Sequence, residues 1–263
     1  MLAFVSLVYR LNSLTLAALP GIPLIQPGDD LPKLILEALQ RAEITLQTGD
    51  ALVVTSKIVS KSEGRIVTLS EVRPSERALK VAAETNKDPR IVELVLQESQ
   101  MISRSAPGVL ITRHRLGFVS ASSGIDQSNI EGGDGTRVLL LPLDPDASAR
   151  KIRAALFEAT GAEVGVVISD SHGRPFRLGN LGIAIGVAGM PALLDLRGHT
   201  DLFGRELKIT IQAYADEVAS AANLLSGEAA EGKPVVWLRG LGFPAQDGHA
   251  SDYIRPIETD LYR

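Results

Sequence analysis

The 263-residue sequence contains no cysteine. That absence excludes disulfides, thiolate nucleophiles and cysteine-ligated zinc or iron-sulfur centres together. Any metal ion must be held by oxygen or by the four histidines. Positive charge is not in excess: 27 lysines and arginines stand against 31 aspartates and glutamates, a formal net charge of -4. With no basic footprint, nucleic acid is disfavoured as a main partner, and an anionic ligand would need a local cluster of positive side chains. No apolar run approaches the roughly 20 residues needed to span a bilayer, so no membrane partner is expected. The apolar start, MLAFVSLVYRLNSLTLAAL, has no basic segment ahead of it and is interrupted by Arg10 and Asn12. It reads as strand material rather than an export signal, and the expected location is the cytoplasm. Repeats, heptads, low-complexity tracts and linkers are missing too. The length suffices for one large domain or two modest ones, and composition places no boundary.

The stretch VGVVISDSHG, Val164 to Gly173, organises the rest. Val164, Val166, Val167 and Ile168 form a β-branched run between Gly161 and Gly173, which predicts a buried strand. Ser169, Asp170, Ser171 and His172 follow at once, so they are expected on a loop at the strand's carboxyl end, a common place for chemistry. Taken alone, the cluster fits a turn equally well.

Upstream, Leu14 to Leu19 predicts a strand running into GIPLIQPGDD, Gly21 to Asp30, a structured loop in which Asp29 or Asp30 can cap a helix over Leu31 to Ala42. A strand over Ala51 to Thr55 delivers Ser56, Lys57, Ser60 and Lys61, hydroxyls and ammoniums suited to phosphate, although plain surface lysines are the commoner outcome. Helices are expected from Pro74 and over Pro89 to Gln97, and a hairpin around His114. In ASSGIDQSN, Asp126 and Asn129 would share a face if the segment turned helically, and could then hold a hard cation and a phosphate or base edge. An Asx turn is the cheaper explanation. A flexible turn is expected over Glu131 to Thr136, then a strand in VLLLPLDPD and an amphipathic helix over Ala147 to Thr160.

Beyond the organising stretch, Arg174 and Arg177 could pair with anionic groups. Gly179, Gly182, Gly186 and Gly189 do not have dinucleotide-binding spacing and read as room for close backbone packing. A helix is expected over Ala213 to Leu225. GEAAEGKP nearly satisfies the P-loop expression, but Pro234 replaces the metal-binding hydroxyl and the order is helix, loop, strand. A glycine-rich loop with a lysine and two carboxylates can still embrace phosphates and metal. Strands and helices do not alternate strictly, so the expected class is α+β with mixed sheets and packed helices rather than doubly wound.

GIPLIQPGDD, TSKIVSKSEGR, PSERA, GIDQSN, LDPDASA, ISDSHGR, GRELKIT, ADEVASAANLLSGE and VVWLRGL together resemble, in order and spacing, the coenzyme F420-0:γ-glutamyl ligase family. The resemblance covers about Ser13 to Gly240. It implies a single catalytic unit of two lobes in an intertwined homodimer. It also implies GTP-dependent joining of L-glutamate to the lactyl carboxylate of F420-0, with two divalent ions, Mg2+ or Mn2+, and K+ as a further cation. By the same resemblance, Gly21, Ile22, Pro23 and Leu24, with Ser56, Lys61 and Asn129, contact the nucleotide. The loop Ser226, Gly227, Glu228, Ala229, Ala230, Glu231, Gly232 and Lys233 surrounds the phosphates. Asp126, Asp170, Ser171 and Glu228 are the implied metal contacts, and Asp126, Asp170 and Lys61 the catalytic set. Ser171 stands where many members have threonine, and His172 where many have asparagine. The chemistry agrees: making an acyl phosphate demands charge neutralisation and alignment, not a protein nucleophile. A metal-dependent phosphohydrolase or a nucleotide-binding regulatory module are the alternatives. The three scattered carboxylates weigh against the second.

Overall fold

The β-branched runs meet in one central sheet in the computed structural model, which describes residues 12–130 and 135–260. In chain order, β1 (Thr15–Ala18) leads to α1 (Leu31–Arg41), β2 (Ala51–Thr55) and the short α2 (Ser56–Ser62). The middle of the chain supplies β3 (Ile66–Thr68), α3 (Glu76–Thr85), α4 (Pro89–Gln97), β4 (Ser99–Ala106), β5 (Val109–His114), β6 (Val119–Ala121) and β7 (Arg137–Leu139). Then come α5 (Pro145–Thr160), β8 (Gly165–Arg174), β9 (Arg177–Ala188), β10 (Leu194–Asp195), β11 (Ile211–Gln212), α6 (Tyr214–Ser226) and β12 (Val235–Arg239). This is an α+β fold with mixed sheets, as the sequence pattern predicts.

The central sheet has the order β1-β12-β2-β8-β9, and only the β2–β8 pair is parallel. Both faces are covered, which is why its strands read as continuous apolar runs. Leu52, Val54, Val166, Ile168 and Trp237 pack against Ile35 and Leu39 of α1 and Ile152 and Leu156 of α5. Val53, Val167, Val187, Val236 and Leu238 face Val218, Ala219 and Ala222 of α6. Two glycines of β9 permit this closeness: a Cβ on Gly186 would lie 2.5 Å from the Pro145 backbone, and one on Gly182 would lie 2.6 Å from the Ala219 carbonyl oxygen. The close-packing reading therefore holds for Gly182 and Gly186, and for Gly189, where a Cβ would lie 2.6 Å from the Val164 carbonyl oxygen, but not for Gly179, where a Cβ would meet nothing within 4 Å. Asp50, buried at the start of β2, accepts hydrogen bonds from Trp237 Nε1 at 2.9 Å and from Arg239 Nη2 at 2.7 Å, tying β2 to β12.

A second core lies between α3, α4 and the β4-β5-β6 sheet, built on Val81, Ala82, Val92, Val95 and Leu110. The helix starts follow the expected capping chemistry. Asp30 accepts from the Lys33 amide, Ser75 from that of Ala78 and Asp88 from that of Arg90.

Two expectations change, and one strand appears that none foresaw. Strand β8 does not stop at Ile168 but continues through the polar cluster to Arg174, because β9 supplies hydrogen-bond partners as far as Arg177. Ser56 to Lys61 lie on a helix rather than a strand exit. Strand β4 carries no apolar alternation, since most of SQMISRSA is exposed, and it is held by pairing with β5. The strand expected in the first eleven residues and the 131–134 part of the expected turn lie outside the described residues.

Candidate active site

Four segments remote in sequence meet beyond the carboxyl end of β2: helix α2, the loop 126–129, the polar half of β8 and the loop after α6. Ser56, the first residue of α2, donates its hydroxyl to Asp170 Oδ1 at 2.8 Å. One residue on, Lys57 Nζ lies 2.5 Å from Asp126 Oδ2 and 2.8 Å from Ser128 Oγ. One turn later Lys61 donates to the Asn129 carbonyl at 2.7 Å, and the Asn129 side-chain amide donates to the Ala229 carbonyl at 2.9 Å. The helical spacing places Lys57 and Lys61 on one face of α2, while Ser56 and Ser60 are buried on the other.

Asp126 and Asn129 are not brought together by a helical turn. Asp126 bridges to Leu139, and its Oδ1 accepts the Ser128 amide at 2.7 Å in an Asx turn, while Asn129 has a left-handed φ of 53°. Burial pushes the Asp126 carboxyl up, but Lys57 and the Ser128 amide outweigh it and hold it below its ordinary value.

The pleat of β8 sorts its polar residues. Asp170 and His172 continue the face of Val166 and Ile168, and they touch each other, His172 Nε2 lying 3.0 Å from Asp170 Oδ2. Ser171 continues the face of Val167, toward α6, where its hydroxyl donates to Glu228 Oε1 at 2.9 Å and Asn223 donates to the same oxygen at 2.8 Å. Asp170 and Ser171 therefore serve opposite faces of one strand.

The Ser226–Lys233 loop starts at Gly227, whose φ of 73° ends α6. Here the Glu231 carboxylate accepts the Ala229 amide at 2.8 Å, and Ala230, Gly232 and Lys233 are exposed. The Gly21–Leu24 loop is anchored from behind: Arg41 donates to the Gly21 carbonyl at 3.0 Å, and Ile22 packs on the central core. Pro23 and Leu24 point outward, Leu24 being 87% exposed. The same loop reaches α2 through a hydrogen bond from the Gly28 amide to the Ser62 carbonyl at 2.8 Å. Arg174 and Arg177 sit at the exposed tip of the β8–β9 hairpin, away from these contacts.

The donor chemistry of Asp126, Asp170, Ser171 and Glu228 is hard oxygen throughout, which fits Mg2+ or Mn2+. Among the described residues no three acidic or histidine side chains converge on one point. Ser171 and Glu228 are hydrogen-bonded to each other, while Asp126 and Asp170 are each tied to adjacent residues of α2, Lys57 and Ser56, so the donors fit ions completed by substrate oxygens rather than one protein cage. In the sequence Lys57 stands out only as one of a phosphate-suited cluster, His172 has no role of its own, and nothing in the pattern points to Asn223 or Phe118. Phe118 meets the His172 ring edge to face, with centroids 5.0 Å apart.

Comparison with known proteins assigns the class first. A family model described as F420-0:Gamma-glutamyl ligase matches residues 21–240, and the chain belongs to that family. Among its relatives, the coenzyme F420:L-glutamate ligase of Methanothermobacter thermautotrophicus is 46% identical, over 95% of this chain and 99% of that protein. Those of Methanopyrus kandleri, 49% identical over 82% of this chain and 83% of that protein, and Methanocaldococcus jannaschii, 47% identical over 84% and 88%, bear the same description.

Proposed function

We propose that this protein joins L-glutamate to the lactyl carboxylate of coenzyme F420-0, with GTP as the activating co-substrate, and can add further γ-linked glutamates. The observation that supports this most is the meeting of Ser56, Lys57, Lys61, Asp126, Asn129, Asp170 and Ala229 through direct hydrogen bonds, in a chain of this family. Such a site gathers two ammoniums and two carboxylates, the inventory that phosphoryl transfer requires.

In the proposed reaction a carboxylate oxygen of F420-0 attacks the γ-phosphorus of GTP. An O–P bond forms, the bridging O–P bond to the β-phosphate breaks, and GDP leaves. The glutamate nitrogen then attacks the acyl carbon. The C–N bond forms, inorganic phosphate departs with the C–O electron pair, and the ammonium proton passes to solvent. Lys61 and Lys57 supply fixed positive charge for the phosphates, and Ser56 keeps Asp170 in one orientation. The Gly21–Leu24 loop and Asn129 form the nucleotide wall, and the Ser226–Lys233 loop, tied to Asn129, closes over the phosphates. Asp126 with Asp170 would hold one divalent ion and Ser171 with Glu228 a second, with K+ a further cation. Bound there, these ions would neutralise the triphosphate and align it for in-line transfer.

A homodimer of two-lobed subunits belongs to the same proposal. Phe176 and Leu178 at the β8–β9 tip, and Leu202 and Phe203 beyond β10, are almost wholly exposed, as a surface awaiting a partner copy would be. No helix among the described residues is long and apolar enough to cross a membrane.

The test is mass spectrometry of reactions containing F420-0, L-glutamate, Mn2+ and either GTP or ATP. Expected are glutamylated product and GDP, much higher kcat/KM with GTP than with ATP, and loss of turnover after EDTA treatment. Nucleotide hydrolysis without added glutamate would favour the phosphohydrolase instead.

A further inference from the structure

Asp170 carries one hydrogen bond on each carboxylate oxygen, from Ser56 on Oδ1 and from His172 on Oδ2. An ionised carboxylate only accepts, so Nε2 of His172 bears the hydrogen. Two donors on two oxygens fix both the position and the plane of the group, leaving the remaining lone pairs for a ligand.

The His172 ring, 9% exposed, does not stand alone. Its edge meets Phe118 at a centroid distance of 5.0 Å and an interplanar angle of 65°. On its other side Phe118 stacks in parallel on His114, again at 5.0 Å, with the planes 2° apart. His114 is completely buried, and its Nδ1 accepts the Leu116 amide at 3.0 Å, so its ring cannot turn freely. Nε2 of His114 points at Glu98, 3.5 Å from Oε2. Glu98 is gripped by Arg65 at 2.8 Å and Arg115 at 3.0 Å, and these two arginines also donate to the carbonyls of Leu141, Pro142 and Leu143. A continuous column of rings thus runs from a charged hub between the two cores to the carboxylate of Asp170.

We propose that His172 is a positioning residue that fixes the Asp170 carboxylate for metal binding, and that Phe118 stacked on His114 is the strut that holds His172 in place. The inference rests on the metal-dependent reading of the site. It adds residues to which neither the motifs nor the family resemblance gave a role. Groups that orient a metal-binding carboxylate typically alter metal affinity by about 10- to 100-fold when removed. A ring serving only to fill space would have no such effect, because an apolar side chain of similar size would replace it.

The experiment titrates Mn2+ into the nucleotide-free protein, with free Mn2+ read by electron paramagnetic resonance, and measures Tm on the same preparations. His172→Leu removes the donor and keeps most of the bulk. Mn2+ affinity should fall by about 10- to 100-fold, with Tm changed by only a few degrees. His172→Gln, whose amide reaches where Nε2 was, should recover affinity to within about 3-fold of wild type. Phe118→Leu leaves His172 intact but removes its support, and should weaken Mn2+ by several-fold. If His172→Leu fails to fold, Phe118→Leu still tests the strut and His172→Gln the donor. Wild-type affinity in His172→Leu, or no recovery in His172→Gln, overturns the positioning role and leaves the metal reading standing. Wild-type affinity in Phe118→Leu overturns the strut. A wild-type protein that binds no Mn2+ overturns the metal reading and this inference with it.

Discussion

Replacing Glu98 by glutamine removes one negative charge from the centre of the hub that joins the two cores. Burial of Glu98 pushes its carboxyl up, but donors from His114, Arg65 and Arg115 outweigh that and bring it from the ordinary 4.5 down to about 2. A depression of this size corresponds to about 3 kcal/mol of stability at neutral pH. The side chain is only 11% exposed, so solvent screens little of it. Glutamine also leaves Arg65 and Arg115 without their counter-charge, and breaking a buried ion pair from one side costs about 3–5 kcal/mol. The sign follows from the direction of the shift. A carboxyl lowered in the folded state stabilises fully above its unfolded value, and the contribution drains away as pH falls from about 4.5 towards about 2. At pH 3, about 2 kcal/mol of it is gone. Urea denaturation of wild type and Glu98→Gln at pH 7 and pH 3 measures both quantities. The gap between the two proteins should be about 3 kcal/mol at pH 7 and less than half that at pH 3. A gap below about 0.5 kcal/mol at pH 7, or one that does not change with pH, would refute the reasoning.

Two further substitutions separate site from scaffold. Asp170→Asn should cut ligation about a thousandfold, equivalent to losing about 4 kcal/mol of transition-state stabilisation, while Tm stays within about 3 °C. If Asp170 only organised β8, turnover of the folded mutant would be near normal and Tm lower, and one preparation assayed for both distinguishes these. Gly186→Ala should do the reverse. Its new Cβ would lie 2.5 Å from backbone atoms of Pro145, a clash that costs about 1–3 kcal/mol, so thermal melting should fall by several degrees while KM for nucleotide holds. An unchanged Tm would mean that α5 yields more easily than the packing implies.

Local signals carried much of the architecture. Asp30 caps α1 where its position predicts, and helix α4 spans Pro89–Gln97 with the bounds read from the sequence. These features depend on neighbours within a turn or two, so sequence alone determines them. Strand β4 escaped because its pairing with β5 is a non-local hydrogen-bond ladder, and its exposed side chains print no alternation. Ser169 to Arg174 read as a loop for a similar reason, because polar residues stay in a strand when a partner such as β9 satisfies their backbone groups.

The same division runs through the candidate site. Its residue types were legible one by one, since carboxylates, hydroxyls and lysines next to glycine-rich turns are chemically conspicuous in a chain without cysteine. Which of them meet was not. The pleat of β8 parts Asp170 from Ser171, the left-handed turn at Asn129 undoes the shared helical face with Asp126, and the stacking of His114 on Phe118 links residues to β8 that lie more than fifty positions earlier. Sequence determines what each side chain can do, because that is covalent chemistry. Only the tertiary structure decides which groups share a space of a few ångströms, because that depends on long-range packing of strands whose spacing along the chain says nothing of their order in the sheet.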